Sequence, residues 1–130
     1  MSRRLDNNII RTDSYKASHF LGFPLDTQKM FSYFESRGGD YATSVFFGLQ
    51  YYLKEYLSDP TRWTDVDSAG SFFNLHGEPF NHTGWSHIRS QHGGNLPVVI
   101  RAVKEGSVIP SGNVLMTIES TCECDDEPVF

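Results

Sequence analysis

The chain has 130 residues, of which 38% are apolar and 21% charged, and its formal net charge is −5. This length suits one compact domain, and an acidic chain without a basic run is a poor candidate for general nucleic-acid binding, because phosphate neutralisation supplies most of that affinity. No window approaches the ~20 apolar residues of a membrane helix, no apolar segment of a secretory signal follows Arg3 and Arg4, and only Cys122 and Cys124 occur, so we expect a soluble cytoplasmic protein.

The first region, residues 8–39, is expected to hold a short helix followed by a strand. Asp13 is a favourable N-cap for a helix over residues 14–20, which the following glycine and proline would end. Residues 29–35 are rich in aromatic side chains, which is typical of a strand, and Gly38-Gly39 ends it.

The second region, residues 43–94, is expected to be helical. Apolar side chains recur at helical spacing from Val45 to Tyr56, before Asp59-Pro60 ends the run. Thr64 with Asp67 resembles a capping box for a second helix through residues 72–73. A third helix is expected over residues 83–91, with Trp85 and Ile88 buried and Gly93-Gly94 as its terminator.

The third region changes its period from helix to strand. Residues 97–103 are β-branched, Glu105-Gly106 predicts a turn, and Val108-Ile109 predicts a short strand. A turn over residues 110–113 then leads into a last strand over residues 114–118. Helices set against a small, mostly antiparallel sheet give an α+β fold.

Cys122 and Cys124 invite a metal interpretation, which the spacing does not favour. A structural zinc site needs four ligands, usually with wider spacing within each pair, and no second cysteine pair exists. His82, His87 and His92 are spaced by five, so on a helix neighbours point ~140° apart and share no face. We therefore expect inert thiols and surface or interface histidines.

No catalytic triad, P-loop or dinucleotide-binding glycine motif is present. Two local clusters are chemically suggestive. Residues 12–16 combine a helix start, which favours anions, with the Asp13 carboxylate and the Tyr15 ring, a stacking surface for a flat heteroaromatic group. Arg37 follows the first predicted strand beside flexible glycines and suits bidentate phosphate contact. A capped helix with a packed tyrosine and an arginine in a surface ion pair are the structural alternatives.

Five stretches, in order and in register over nearly the whole chain, resemble the nicotinamide phosphoribosyltransferase family. The short link between Gly38 and Thr43 is similar to bacterial or phage members. The stretches are residues 8–19 with Thr12-Asp13-Ser14-Tyr15-Lys16, residues 32–51 with Phe34-Glu35-Ser36-Arg37-Gly38-Gly39, Gly84-Trp85 with Gly94-Asn95-Leu96-Pro97, residues 102–106, and residues 108–115.

The resemblance implies a pentosyltransferase of NAD salvage that joins nicotinamide to phosphoribosyl pyrophosphate, releasing nicotinamide mononucleotide and pyrophosphate. It implies assistance by Mg²⁺, possible coupling to ATP hydrolysis, and a homodimer whose active sites are shared. Tyr15 would stack on nicotinamide across the dimer interface, Asp13 would lie near the carboxamide, and Arg37 near the phosphates of the neighbouring subunit's site.

The same resemblance implies that residues 1–130 are the N-terminal α+β portion of the enzyme. Residues 128–130 look like the start of another element. In the family, the barrel that carries the phosphoribosyl-binding loop and the catalytic acidic and histidine residues follows the position of Phe130. We therefore name no catalytic residue and no metal ligand here, and we expect the chain to be inactive alone.

Three other functions are compatible with parts of the sequence. A nicotinate phosphoribosyltransferase would share the turns of the third region, although the stretches around Asp13 and Arg37 fit the nicotinamide branch better. The run from Lys104 to Glu119 resembles half of a lipoyl- or biotinyl-carrier barrel, without residues for a second half. The 14% aromatic content also suits a non-catalytic interaction domain with rings at its partner surface.

Overall fold

The structure is a computed structural model, and it describes residues 6–122. Strands and helices are mixed along the chain, which confirms the expected α+β class. The strands are β1 (Phe31–Glu35), β2 (Thr43–Val45), β3 (Val98–Ala102), β4 (Val108–Pro110) and β5 (Val114–Ser120), and the α-helices are α1 (Leu49–Tyr52), α2 (Val66–Asn74) and α3 (His82–Gln91). Short 3₁₀ helices cover Asn8–Ile10, Ser14–Gly22 and Pro60–Trp63, and a π-helical turn, Leu53–Leu57, follows α1.

A three-stranded antiparallel sheet has the order β1-β5-β3. Its central strand is the last in sequence, so Phe31 lies opposite Glu119 and Val98 opposite Ser120. The register with β1 shifts at Phe34/Glu35, which leaves Leu115 of β5 without a partner in β1. Leu115 is buried, and its carbonyl accepts a hydrogen bond from the amide of Val103 at 2.9 Å. The shift thus turns one more apolar side chain inward.

The prediction that the helical region begins at residue 43 is wrong. Thr43–Val45 form strand β2, paired antiparallel with β4. The β-branched Thr43 and Val45 favour a strand once a partner is available, and that partner lies more than 60 residues later. The helix begins only after Gly48, whose φ of 103° breaks the chain direction before α1.

The Glu105 side chain ties α1 to the turn between β3 and β4. Its carboxylate accepts hydrogen bonds from the amides of Gly48 and Gln50, both at 2.9 Å. These amides belong to the first turn of a helix, where backbone N–H groups lack intrahelical acceptors. A residue from a distant turn therefore provides the cap that the local sequence does not.

Helices α2 and α3 surround the main core. Val66, Ala69 and Phe73 of α2 are almost fully buried. Ile9, from the first 3₁₀ turn, packs with Val66 and Ala69. Ile88 of α3 is also buried, as predicted, whereas Trp85 is only half-buried.

The N-cap of α2 is Asp65 rather than Thr64. The Asp65 carboxylate accepts from the amide of Ser68 at 3.3 Å. Thr64 instead closes the preceding 3₁₀ helix, and its hydroxyl donates to the carbonyl of Thr61. At the start of α3, the N-cap is Asn81, whose side-chain oxygen accepts a hydrogen bond from the amide of Gly84 at 2.8 Å. The predicted capping box therefore misses the true cap by one residue.

Many large rings stay outside this core. Among residues 6–122, eight aromatic rings have more than half of their surface exposed. Three are Tyr15, Tyr51 and Tyr52, and the other five are Phe31, Tyr33, Phe34, Tyr41 and Phe47. The last five lie on β1 or in the segments on either side of β2. None of the helices within residues 6–122 has the length and apolar character needed to cross a bilayer.

Candidate functional site

The N-terminal 3₁₀ helix, Ser14–Gly22, carries two of the predicted site residues at its start. Asp13 occupies the N-cap position, as predicted, but its side chain makes no capping hydrogen bond. The carboxylate instead pairs with the Lys16 ammonium at 3.5 Å. The Tyr15 ring is 56% exposed and touches the His19 imidazole edge-on, with centroids 5.2 Å apart. Both contacts are local to the helix, and both side chains face solvent.

A cavity of 460 Å³ lies against the other side of this helix. Lys16, Ala17 and Phe20 line it, whereas Asp13 and Tyr15 do not. Four residues of the segment 8–12, Phe23, Met30 and residues 96–98 line it as well, and the helical region supplies a further wall. The aromatic members of that wall form two stacked pairs, Trp63 with Trp85 and Phe73 with Phe80, with centroids 5.9 Å and 5.4 Å apart.

Two buried polar atoms beside this cavity have no hydrogen-bond partner among the described residues. They are the side-chain oxygen of Asn8 and the indole Nε1 of Trp63. The amide nitrogen of Asn8 is satisfied, since it donates to the carbonyl of Tyr56. An acceptor and a donor left in an apolar wall are costly unless another group meets them. These two atoms are therefore a local energetic cost beside the cavity.

Arg37 lies apart from this helix, in the exposed link between β1 and β2. Gly38 and Gly39 follow it with φ of 93° and 145°, values that side-chain-bearing residues rarely adopt. The preceding Ser36 is held, because its carbonyl accepts from the amide of Gly112 at 2.8 Å. Arg37 therefore lies between a strand end that is held by a hydrogen bond and a link of two glycines.

The three predicted site residues are not brought together within this chain. Among residues 6–122, no hydrogen bond, ion pair or ring contact joins Arg37 to Asp13 or Tyr15. All three side chains are exposed, and Asp13 and Tyr15 contact their own neighbours Lys16 and His19. The roles assigned to Asp13, Tyr15 and Arg37 therefore remain predictions.

The chain also contains a cluster of metal-ligand type that was not predicted. His87, His92 and Cys122 place their ligand atoms within 4.8 Å of one another. The expectation that His87 and His92 point apart is wrong, because their ring centroids lie 5.4 Å from each other. His92 lies just past the end of α3, where its φ of −112° and ψ of 2° turn the ring back toward His87. Cys122 is disulfide-bonded rather than an inert thiol, and Cys124 lies outside the described residues.

Comparison with known proteins decides the family. The model of the family described as "Nicotinamide phosphoribosyltransferase, N-terminal domain" matches residues 7–100. The chain belongs to the nicotinamide phosphoribosyltransferase family. It is also 55% identical over 117 residues to the nicotinamide phosphoribosyltransferase of Xanthomonas campestris pv. campestris (strain 8004), an alignment that covers 90% of this chain.

The family match confirms the resemblance found in the sequence motifs. Asp13, Tyr15 and Arg37 all lie within the matched range, while the motifs of residues 102–115 lie beyond it. The chain spans 25% of the length of the Xanthomonas relative. Neither a nicotinate phosphoribosyltransferase nor a carrier module finds support in these matches.

Sequence reasoning missed the cavity and the His-His-Cys cluster for one reason. Both are built from residues far apart in the chain, such as Trp63 with Trp85 and His87 with Cys122. The presence of only two tryptophans is a weak signal for the first. For the second, a histidine directly before a Gly-Gly helix terminator signals that its ring leaves the helical periodicity.

Proposed function

We propose that this chain acts, as the N-terminal part of a complete transferase, in the transfer of a phosphoribosyl group from phosphoribosyl pyrophosphate to nicotinamide. The products are nicotinamide mononucleotide and pyrophosphate, and the process is NAD salvage. The observation that carries the proposal is the family match over residues 7–100, supported by the 55% identity to a nicotinamide phosphoribosyltransferase.

Tyr15 is proposed to stack on the nicotinamide ring. Its ring is more than half exposed and is steadied from one edge by His19, so the face of the phenol ring can receive a planar group. In the transfer, the ring nitrogen must be held in line with the anomeric carbon, and stacking fixes the plane in which that nitrogen lies.

Asp13 is proposed to accept a hydrogen bond from the carboxamide of nicotinamide. Lys16 pairs with one carboxylate oxygen, Oδ2, at 3.5 Å, which orients the group. A carboxylate accepts from the amide N–H₂ of nicotinamide but repels the carboxylate of nicotinate. This residue would therefore favour the amide substrate over the acid.

Arg37 is proposed to contact substrate phosphates, because a guanidinium can form two parallel hydrogen bonds to phosphate oxygens. Its exposure and the glycines that follow it support reach toward a second subunit. Such a contact would stabilise the charge that develops as pyrophosphate leaves.

Mg²⁺ and ATP are proposed for the complete enzyme only. Mg²⁺ prefers oxygen ligands in octahedral geometry, whereas the metal-ligand cluster found within residues 6–122 consists of two imidazoles and a sulfur. These residues do not fit Mg²⁺.

We also propose a cytoplasmic homodimer with shared active sites. The exposed rings of β1 and of the segments around β2 support a protein partner surface. Sedimentation of the complete protein should give the mass of a dimer, and a monomer at micromolar concentration would contradict the proposal. Cell fractionation tests the location.

Kinetics of the complete enzyme test the assigned roles. Tyr15→Ala should lower kcat/KM for nicotinamide by about 5- to 150-fold, since stacking of a base on an aromatic ring contributes about 1–3 kcal/mol, and Tyr15→Phe should retain most activity. Arg37→Ala should raise KM for phosphoribosyl pyrophosphate more than KM for nicotinamide. Asp13→Asn should lower the ratio of kcat/KM for nicotinamide to kcat/KM for nicotinate.

Two results would contradict these assignments. One is a Tyr15→Ala enzyme with unchanged kcat/KM, and the other is turnover of nicotinamide by the 130-residue chain alone at the rate of the complete enzyme.

A further inference from the structure

The end of helix α3 meets the end of strand β5 through two imidazoles and one sulfur. The Cys122 Sγ atom lies 3.3 Å from Nε2 of His92 and 3.6 Å from Nε2 of His87. Cys122 is buried, and both histidines are half-buried. The same nitrogen of each ring thus points at one shielded sulfur from two directions.

These distances fit a tetrahedral metal centre. With Zn–S of about 2.3 Å and Zn–N of about 2.05 Å, a sulfur and a nitrogen on the same tetrahedral zinc ion lie about 3.6 Å apart. The observed separations of 3.3 Å and 3.6 Å match that edge length. Thiolate and imidazole are also the donors that zinc-like ions select over Mg²⁺ or Ca²⁺.

The Cys122 sulfur also forms a disulfide bond, and that bond excludes metal binding. Cys122 is disulfide-bonded in the structure, and the ligand form of cysteine is the thiolate. One sulfur cannot be in a disulfide and act as a thiolate ligand at the same time. The disulfide form in the structure and the thiolate form that a metal ion would need differ by two electrons.

We propose that reduction of the Cys122 disulfide creates a binding site for one Zn²⁺-type ion, ligated by Cys122 Sγ and by Nε2 of His87 and His92. A dithiol supplies two electrons and two protons: it becomes a cyclic disulfide, and the protein disulfide becomes two thiols. Metal binding then releases the Cys122 proton and leaves the fourth position of the tetrahedron to a further donor such as water. A reducing cytoplasm favours the metal-binding state.

The site would join the end of α3 to the end of β5. Helix α3 also contributes Trp85 and Ile88 to the wall of the cavity. The bound ion would thus fix the helix that borders the cavity. Because metal binds the folded but not the unfolded arrangement, it should raise the stability of the reduced protein and not of the oxidised one.

Titration with Co²⁺ tests this directly. The protein is reduced with a water-soluble phosphine, which takes the oxygen of one water as it reduces the disulfide, and the phosphine is removed by gel filtration. The reduced wild type should bind one equivalent with a thiolate-to-cobalt charge-transfer band in the near ultraviolet. The oxidised wild type should show no such band, and Zn²⁺ should displace the bound Co²⁺.

Variants separate the ligands from their neighbours. Cys122→Ser should abolish the band in both redox states. Cys124 is the only other cysteine in the sequence, so Cys124→Ser should bind metal without reductant. His87→Gln and His92→Gln should each weaken binding at least about tenfold, because even outer-shell changes cost metal sites about 10–100-fold.

His82→Gln is the matched control, since His82 lies on the same helix but pairs with Asp67. Its affinity should equal that of the wild type. Circular dichroism confirms that each variant is folded, and Cys124→Ser keeps the test valid if the Cys122 variant does not fold. Binding by Cys122→Ser as tight as by the reduced wild type, or unchanged affinity in both His87→Gln and His92→Gln, would overturn the proposal.

Discussion

The two glycines after α3 give a sharp test of packing, because they share a backbone conformation and differ in their surroundings. Gly93 and Gly94 have φ of +60° and +86°, so both favour glycine. A Cβ at Gly93 would meet no atom within 4 Å. A Cβ at Gly94 would lie 2.3 Å from the carbonyl oxygen of Pro60 and 2.8 Å from Cγ2 of Thr64.

The expected magnitudes follow from these surroundings. Placing alanine in a left-handed conformation costs about 1–2 kcal/mol, and both variants incur this cost. Gly94→Ala also forces a methyl group against backbone, and overpacking of this kind costs about 1–3 kcal/mol. The free energy of unfolding should therefore fall about 1–3 kcal/mol further for Gly94→Ala than for Gly93→Ala.

Urea unfolding followed by tryptophan fluorescence measures this difference, since Trp63 and Trp85 both line the adjoining cavity. Adding Thr64→Ser to Gly94→Ala removes the Cγ2 contact but not the shorter contact with the Pro60 carbonyl, so it should recover only a small part of the loss. Equal destabilisation by Gly93→Ala and Gly94→Ala would refute the argument, because the conformational cost would then be the whole effect.

Three further predictions concern the cap, one carboxylate and the core. Asp65→Ala should lower the free energy of unfolding by about 1 kcal/mol, because the amide of Ser68 loses its capping acceptor; no loss in urea unfolding would contradict this cap. Hydrogen bonds from two amides, that of Gln50 first and that of Gly48 second, lower the pKa of the Glu105 carboxyl below 4.5. Because the folded-state pKa lies below the unfolded value, this stabilisation is complete above about pH 4.5 and is lost as the pH falls through the folded pKa. Glu105→Gln should therefore make the free energy of unfolding depend less on pH on the acid side of a stability–pH curve. Phe73→Ala should lower the free energy of unfolding by about 3–5 kcal/mol, because Phe73 is 1% exposed. Phe72 lies on the same helix and is 41% exposed, so Phe72→Ala should cost far less. Similar thermal shifts for the two variants would show that burial does not set the cost.

Local signals in the sequence were sufficient for the C-terminal half of the fold. The strands from residue 97 onward, the turns at Glu105-Gly106 and after Pro110, and helix α3 all form close to their predicted positions. Each is specified by residues next to one another, such as β-branched runs between glycine and proline turns. Where the physical cause is local, a single sequence is enough.

The errors concern structure that depends on distant partners. Thr43–Val45 become a strand because β4 is available to pair with them, and the start of α1 depends on Glu105. The helical spacing of apolar residues around Val45 indicates neither the pairing of β2 with β4 nor the cap that Glu105 provides. Tertiary pairing outweighs local propensity in such cases, and only the partner reveals it.

The cap of α2 shows a different limit. Thr64 and Asp65 are both good N-caps by residue type. The preceding 3₁₀ helix decides between them, because it ends at Trp63 and takes Thr64 as its C-cap. Adjacent candidates are therefore resolved by the geometry of the incoming chain rather than by composition.

The candidate substrate residues differ from the structural residues in what holds them. Asp13 and Tyr15 are held by partners three and four residues away, Lys16 and His19, and Arg37 extends from the end of a strand. Exposed side chains with such neighbours contribute little to stability, typically within about 0.5 kcal/mol. Substitutions at these positions should therefore leave the fold almost unchanged, so that a loss of activity would report lost contact with substrate. Substitutions in the core and at the glycines should instead lower activity by reducing the fraction of the protein that is folded.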